Sequence, residues 1–481
     1  MYRIYFIILF VILPFSNFSQ QPSVIQDEKV VSNIHILESW IRAQMDYKNI
    51  PGITVGIIYD QELIYAKGFG YSNLEDKTPA TVQTLYRIAS ISKTFTATAI
   101  MQLRDEGKLR LDDPIEKFLS GFNIKNPFPD AREITVFQLI THTSGLPRNA
   151  GFPYWTDRKF PTMKQILEAL PEQEMIYPPG TQYKYSNLGI ALLGEIVSVA
   201  SDMSYEKYIT ENILKPLDMA SSSVFLTEKD KEKLTVPYSH RFPDGSRRIM
   251  PFTDSKGIAP AANITSNIED MSKYISLQFR KGRKGGKQIL DSYTLEDMQR
   301  VQWLNPNWTS GYGLGFRVWK QGDFTVVGHG GWVAGNRSQI SFIPKEKIGV
   351  VVLTNADDVS PAFFAKKILE LMIPVIKGAV TPQNPVEKAD PSWNKFVGIY
   401  TDPSWFDTEV LIYNNQLVMN SYSIPPEDTP DSEIKVLTPV GVNTFRMSGP
   451  NGNGELVVFE IDSNDKVIRI KVGENYISPR K

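Results

Sequence analysis

The chain has 481 residues, 42% hydrophobic and 11% aromatic, with a formal net charge of −1. That length allows two or three domains of about 150 residues with packed cores, and the near-neutral charge excludes a global field for nucleic acid or an anionic membrane. Cysteine is absent, which excludes disulfide staples, a thiol nucleophile, Fe–S ligation and a cysteine-borne lipid anchor.

At the N-terminus, Arg3 precedes an almost wholly apolar run from Ile4 to Phe15, followed by Ser16-Asn17-Phe18-Ser19-Gln20. The run falls well short of the roughly 20 residues needed to span a bilayer, so residues 1–20 read as a signal peptide. An uncleaved signal-anchor is the alternative, because the usual small pair at the cleavage site is missing. No other apolar stretch is long enough to cross a membrane. The expected location is exported, periplasmic or secreted.

Val30, Ile34, Leu37, Ile41 and Met45 repeat at helical spacing over residues 24–48, and Pro51-Gly52 closes the segment. Ile53 to Tyr59 and Leu63 to Ala66 flank the polar Asp60-Gln61-Glu62, a hairpin signal. Ser90-Ile91-Ser92-Lys93 then precedes the helix-like run Thr94 to Leu103, after the apolar approach Leu85 to Ala89. Residues at i and i+3 share a helix face, so Lys93 would stand beside the Ser90 hydroxyl at a helix N-terminus. A partly desolvated lysine can take a serine proton, and the positive end of the helix favours an alkoxide or oxyanion. An N-cap serine and a solvated lysine are the plainer reading of the pair. Ser-x-x-Lys recurs at Ser204–Lys207 and Ser392–Lys395, where no supporting pattern accompanies it.

Residues 95 to 310 read as mostly helical, cut by Pro and Gly loops; within them the basic run Arg280 to Lys287 reads as a solvated loop. Strands return at Phe324 to Val327, Gln339 to Ile343 and Ile348 to Leu353, before a closing helix over Ala362 to Val375. The implied fold class is α+β: one antiparallel sheet built from both ends of the domain, flanked by terminal helices, with an inserted helical lobe and a cleft between the two. This domain spans 21–380. A Pro-rich linker follows at 381–391, and 392–481 carries short strands between turns, a small all-β domain that is a sheet or partial barrel. The four histidines, His35, His142, His240 and His329, are scattered, so neither a zinc site nor another cofactor is expected.

Two further elements follow Ser90-Ile91-Ser92-Lys93 in order: Tyr185-Ser186-Asn187 and His329-Gly330-Gly331. The set resembles the serine β-lactamase and penicillin-binding-protein superfamily, in particular its class C β-lactamase, esterase and D-peptidase branch. Leu139 to Pro147 and Tyr177-Pro178-Pro179-Gly180 look like loops of that branch. The resemblance implies Ser90 as nucleophile, Lys93 and Tyr185 as proton carriers, and an oxyanion hole formed by the N–H groups of Ser90 and Trp332. It further implies that neighbouring cations draw the Tyr185 phenol towards phenolate. Asn187 is expected to bond Lys93 and the substrate's acyl amide, with Ser186 packing. His329, Gly330 and Gly331 are expected on the edge strand beside the cleft, the glycines admitting substrate backbone.

Lys-Thr-Gly of the classical β-lactamases is replaced here by His-Gly-Gly, so a permanent cation gives way to a mostly neutral imidazole, which disfavours efficient β-lactam turnover. Arg337 could compensate, or could be a structural arginine. Gly328-His329-Gly330-Gly331 also resembles the oxyanion loop of α/β-hydrolases, but the Gly-x-Ser-x-Gly elbow of that fold is absent. The function implied is an exported serine hydrolase that cleaves an amide or ester through an acyl-Ser90 intermediate, with a small-molecule or peptide substrate of D-amino-acid or ester type. A class C-like β-lactamase and a non-catalytic cell-wall binding protein are the alternatives. No nucleic-acid partner is expected.

Overall fold

The computed structural model describes residues 24–280, 286–380, 388–401 and 407–480. The signal segment 1–20, residues 281–285 of the basic run and residues 381–387 of the linker lie outside them. Arg280, within the run expected to be solvated, is buried instead: its guanidinium donates to Gln61 Oε1 at 3.1 Å and to the Lys287 carbonyl.

Asp27 caps the first helix, Glu28–Lys48, by accepting from the N–H groups of Lys29 and Val30 at 2.9 and 3.1 Å. The chain then forms the hairpin Gly52–Tyr59 and Glu62–Asn73. These strands join the C-terminal strands of the domain in a nine-stranded antiparallel sheet. Its spatial order runs Thr78–Pro79, Glu62–Asn73, Gly52–Tyr59, Ile348–Thr354, Asn336–Ile343, Phe324–Val333, Arg317–Gln321, Ser310–Tyr312 and Trp303–Leu304. The first and last thirds of the domain meet at the centre, where Val55 stands opposite Val352.

Alternation along Ile348–Thr354 explains the layers. Val350 and Val352 face the core shared with the helices Glu28–Lys48 and Pro361–Val380. Val351 and Leu353 face the core of the helical lobe, which includes Phe95, Ile268 and Tyr274. The helix Asn187–Ser201 runs through that lobe and is nearly all buried over its first ten residues. Among the described residues no single helix is long and apolar enough to cross a membrane.

The sheet differs from expectation at one side. Trp303–Leu304, read from sequence as part of the helical middle, and Ser310–Tyr312 and Arg317–Gln321, where no strand was expected, extend it beyond Phe324–Val333. That strand is therefore interior for half its length. Arg317–Gln321 pairs with it only from Phe324 to Gly328, which leaves His329 to Val333 open on that side. The glycine-bearing segment is an edge only past that point.

After the linker, eight strands from Gly398–Thr401 to Asn475–Pro479 close into a barrel. Phe396, Tyr400, Phe445 and Phe459 fill part of its interior. The barrel docks on the outer face of the first helix. Ile36 is buried among Leu411, Tyr413, Val418 and Ile434, and the Trp40 and Gln44 side chains both donate to the Glu427 carbonyl at 3.0 Å. His35 Nε2 meets Glu409 Oε1 at 2.5 Å, which raises the imidazole pKa above 6.5 against the opposing effect of burial.

Candidate active site

The short strand Tyr86–Arg87 pairs with Thr265–Ser266 and is anchored by the buried Arg87 guanidinium, which donates to Asn263 Oδ1 at 2.8 Å. The chain then turns sharply. Ala89 takes a left-handed conformation at φ +49°, unfavourable for a residue with a Cβ. Ser90 sits in the resulting 3₁₀ turn, Ala89–Ile91, at the mouth of the helix Ser92–Asp105. The i,i+3 relation holds: Lys93 Nζ lies 3.2 Å from Ser90 Oγ and donates to the Ala261 carbonyl at 2.7 Å. Lys93 is completely buried. Burial first, and the Arg148 charge second, hold its pKa well below 10.5. Among the described residues no carboxylate pairs with it, and the shift favours release of its proton beside the serine hydroxyl. Such a pair can deprotonate the serine.

The strand Phe324–Val333 packs directly on this turn. A Cβ on Gly331 would meet the Ile88 carbonyl oxygen at 2.2 Å, so glycine is required for the strand and the turn to close together. Ser338 Oγ, on the next strand, donates to the same carbonyl at 2.8 Å. The space that a side chain at Gly331 would fill is therefore occupied by the protein's own backbone.

Tyr185 and Asn187 are delivered by the loop leading into the helix Asn187–Ser201. Ser186 caps that helix, accepting from the Gly189 N–H at 2.8 Å and donating to the Pro147 carbonyl at 2.7 Å, a packing role as expected. His142 holds the loop from behind. Its carbonyl accepts from Lys184 N–H at 2.7 Å and its Nδ1 accepts from Ser186 N–H at 3.2 Å, which places the ring hydrogen on Nε2. Its ring lies 4.5 Å from that of Tyr185.

The Tyr185 phenol bonds the Ser90 hydroxyl, and its ring carries Lys93 Nζ at 4.9 Å and the Arg148 guanidinium at 5.0 Å. The expected phenolate is not found. Burial pushes the phenol up to about 12, outweighing the Ser90 hydrogen bond and the Arg148 and Arg317 charges that pull it down. Burial thus moves the two groups in opposite directions, Lys93 towards losing its proton and Tyr185 towards keeping it. Asn187 also departs from expectation: its amide nitrogen donates to Asn149 Oδ1 at 3.1 Å rather than engaging Lys93.

His329 is buried, with Nδ1 against the Gly330 carbonyl at 2.7 Å and Nε2 against the Tyr312 hydroxyl at 3.1 Å. Burial pushes its pKa down to about 3, so the imidazole is uncharged. Trp332 is half exposed. Its Nε1 donates to Asp357 Oδ1 at 2.7 Å, and its ring stacks near Trp155 at 6.4 Å between centroids.

These groups line a single cleft of about 490 Å³: Ser90, Tyr185, Asn187, His329, Gly330, Gly331 and Trp332 all border it, with Lys93 beneath Ser90. Every site residue expected from sequence is thus brought together. Arg337, left open between two roles, also lines the cleft, with its guanidinium 5.8 Å from the Trp332 ring. Sequence reasoning missed Arg148, Trp155, Tyr183, Tyr312 and Arg317 on the walls. Arg148 carried a usable signal, since it directly follows the loop ending at Leu146-Pro147. Trp155 carried none.

The protein-family model described as Beta-lactamase matches residues 37–371. Among curated proteins, the chain is 32% identical over 384 residues to Beta-lactamase-like protein 2 of Dictyostelium discoideum, covering 77% of this chain and 69% of that one. It is 28% identical over 320 residues to Protein flp of Staphylococcus aureus (strain N315), covering 66% of this chain and 62% of the relative. Among solved structures, the octameric penicillin-binding protein homologue from Pyrococcus abyssi aligns over 93% of this chain and all of its own, at 28% identity and TM-score 0.62. A β-lactamase/D-alanine carboxypeptidase from Yersinia pestis shares the fold over 72% of this chain and 99% of its own, at 21% identity and TM-score 0.61. A buried lysine under a strained serine turn, with the tyrosine and histidine–glycine elements across one cleft, therefore sits in a chain that belongs to the β-lactamase family.

Proposed function

We propose that the chain is an exported serine hydrolase that cleaves an amide or ester bond of a D-amino-acid peptide or small ester through an acyl-Ser90 intermediate. The observation that carries this reading is the fully buried Lys93, its pKa held well below 10.5 and its Nζ 3.2 Å from Ser90 Oγ, at the floor of an open cleft. Lys93 takes the Ser90 proton as Oγ attacks the substrate carbonyl. The N–H groups of Ser90 and Trp332 receive the developing oxyanion. The Tyr185 phenol gives its proton to the leaving nitrogen or oxygen, and the proton now on Lys93 restores the phenol. Water then hydrolyses the acyl-enzyme with the same groups in reverse roles. Asn187 and the open edge at His329 and Gly330 hold the acyl side. β-Lactam turnover is disfavoured, because the neutral His329 stands where a permanent cation would grip the drug's carboxylate.

Labelling with a fluorophosphonate should modify Ser90 and be lost in Ser90→Ala, while the variant keeps its melting temperature. Purified protein screened against p-nitrophenyl esters, D-alanyl peptides and a chromogenic cephalosporin should favour the first two. Turnover retained in Ser90→Ala would overturn the assignment.

A further inference from the structure

Three arginines, Arg148, Arg317 and Arg337, line the cleft, and no aspartate or glutamate does. Among the described residues none of the three is ion-paired, and Arg337 Nε is buried without a hydrogen-bond partner. Asp357, which holds Trp332 beside the cleft, has its Oδ1 engaged by Trp332 Nε1 and the Gly335 N–H. An uncompensated guanidinium cluster in a confined cleft is a recognition field for anions.

The cations do not converge on one point. Arg317 stands opposite Gly328 and Arg337 opposite Trp332, on the two strands that flank Phe324–Val333. Gly328 and Trp332 share a sheet face and lie four residues apart, about 13 Å along the strand. The two arginines therefore emerge on the same face, on opposite sides of one strand and at opposite ends of the cleft segment. Arg317 falls with Arg148 at the Tyr185 end, since the charges of both act on that phenol. Arg337 lies at the Trp332 end, above the indole. One carboxylate cannot satisfy both ends.

We infer that the substrate carries two carboxylates, one on each side of the scissile bond: the leaving-group carboxylate held by Arg148 and Arg317, the acyl-side carboxylate by Arg337. The assignment of sides rests on the proposed role of Tyr185 as proton donor to the leaving group. Charge-assisted hydrogen bonds to guanidinium are strong enough for each matched carboxylate to improve binding about tenfold or more.

The test uses full-length Ser90→Ala protein, which binds without turnover, and three peptides that differ only in charge. These are acetyl-D-Ala-D-Ala amide, acetyl-D-Ala-D-Ala and succinyl-D-Ala-D-Ala, with none, one and two carboxylates. Calorimetric affinities should rise in that order, by about tenfold per step at low salt, and the steps should shrink at high salt. Arg337→Gln should erase only the second step and Arg317→Gln only the first. Equal binding of the mono- and dicarboxylate, a second step that survives Arg337→Gln, or no binding by any of the three overturns the inference. Fluorophosphonate labelling of the parent protein is scored separately. Labelling at Ser90 alongside flat affinities leaves the serine-hydrolase reading standing and this one fallen, whereas graded affinities without labelling do the opposite.

Discussion

Ser90–Lys93 and Ser204–Lys207 have the same spacing and both open a helix, yet they have become opposite things. Ser204 is exposed and caps the helix Tyr205–Ile209 by accepting from the Lys207 N–H at 3.3 Å, while the Lys207 side chain stays in solvent. Around Ser90, a left-handed alanine, the Ile88 carbonyl lodged against Gly331 and a buried lysine force the hydroxyl and amine together. Spacing sets which side chains can meet. The low-dielectric wall around them decides whether meeting changes their chemistry. The third copy shows the other common fate: Lys395 pairs with Asp465 at 3.0 Å.

The contrast breaks most visibly in activity. Ser90→Ala and Lys93→Arg should each lower acylation by about 10³-fold or more, because the second keeps a cation but loses the base. Ser204→Ala should leave the rate unchanged in the same assay. Next in size, Tyr185→Phe should lower turnover by about 10²-fold with little change in melting temperature, since the ring and its contacts remain.

The pH profile sharpens the distinction. With Lys93 lowered well below 10.5, kcat/KM should climb as that group loses its proton and reach its plateau before ordinary lysines titrate. His329, at about 3, and Tyr185, at about 12, should add no step between those values. A rate that rises only near 10.5 would mean that Lys93 is an ordinary solvated amine.

Smaller effects appear in stability. The folded state holds the Lys93 proton less tightly than the unfolded chain does, so below 10.5 this residue opposes folding, and the penalty fades as pH rises towards 10.5. Lys93→Met should therefore be inactive yet more stable at neutral pH by on the order of 1 kcal/mol, measured by denaturant titration. Ser204→Ala should lose about 1 kcal/mol through its cap and nothing else.

How much was legible follows from what each feature depends on. Ser90, Lys93, Tyr185 and His329 were readable because their motifs are local in sequence and ordered along the chain. The terminal helices and central strands were readable from apolar spacing at Val30, Leu37, Ile41 and along Ile348 to Leu353. Arg317–Gln321 was not, because Arg-Val-Trp-Lys-Gln offers one buried valine in a half-exposed strand and no apolar run. The protonation of Tyr185 was misjudged because neighbouring cations can be guessed from sequence, whereas the burial that outweighs them belongs to the assembled cleft. The bond expected between Asn187 and Lys93 is not formed, because the amide is engaged by Asn149, 38 residues away in sequence.

The pairing of Gly52–Tyr59 with Ile348–Thr354 has a consequence in time. The first strand made can find its central neighbour only after some three hundred further residues have been synthesised, and the first helix waits longer still for Pro361–Val380 and for the barrel. Contacts of such long sequence separation are slow to form, and no early portion of the chain can bury its own apolar face. A nascent chain wired in this way stays slack until its final third emerges, so whatever handles it before then meets an open thread with its apolar strands uncovered.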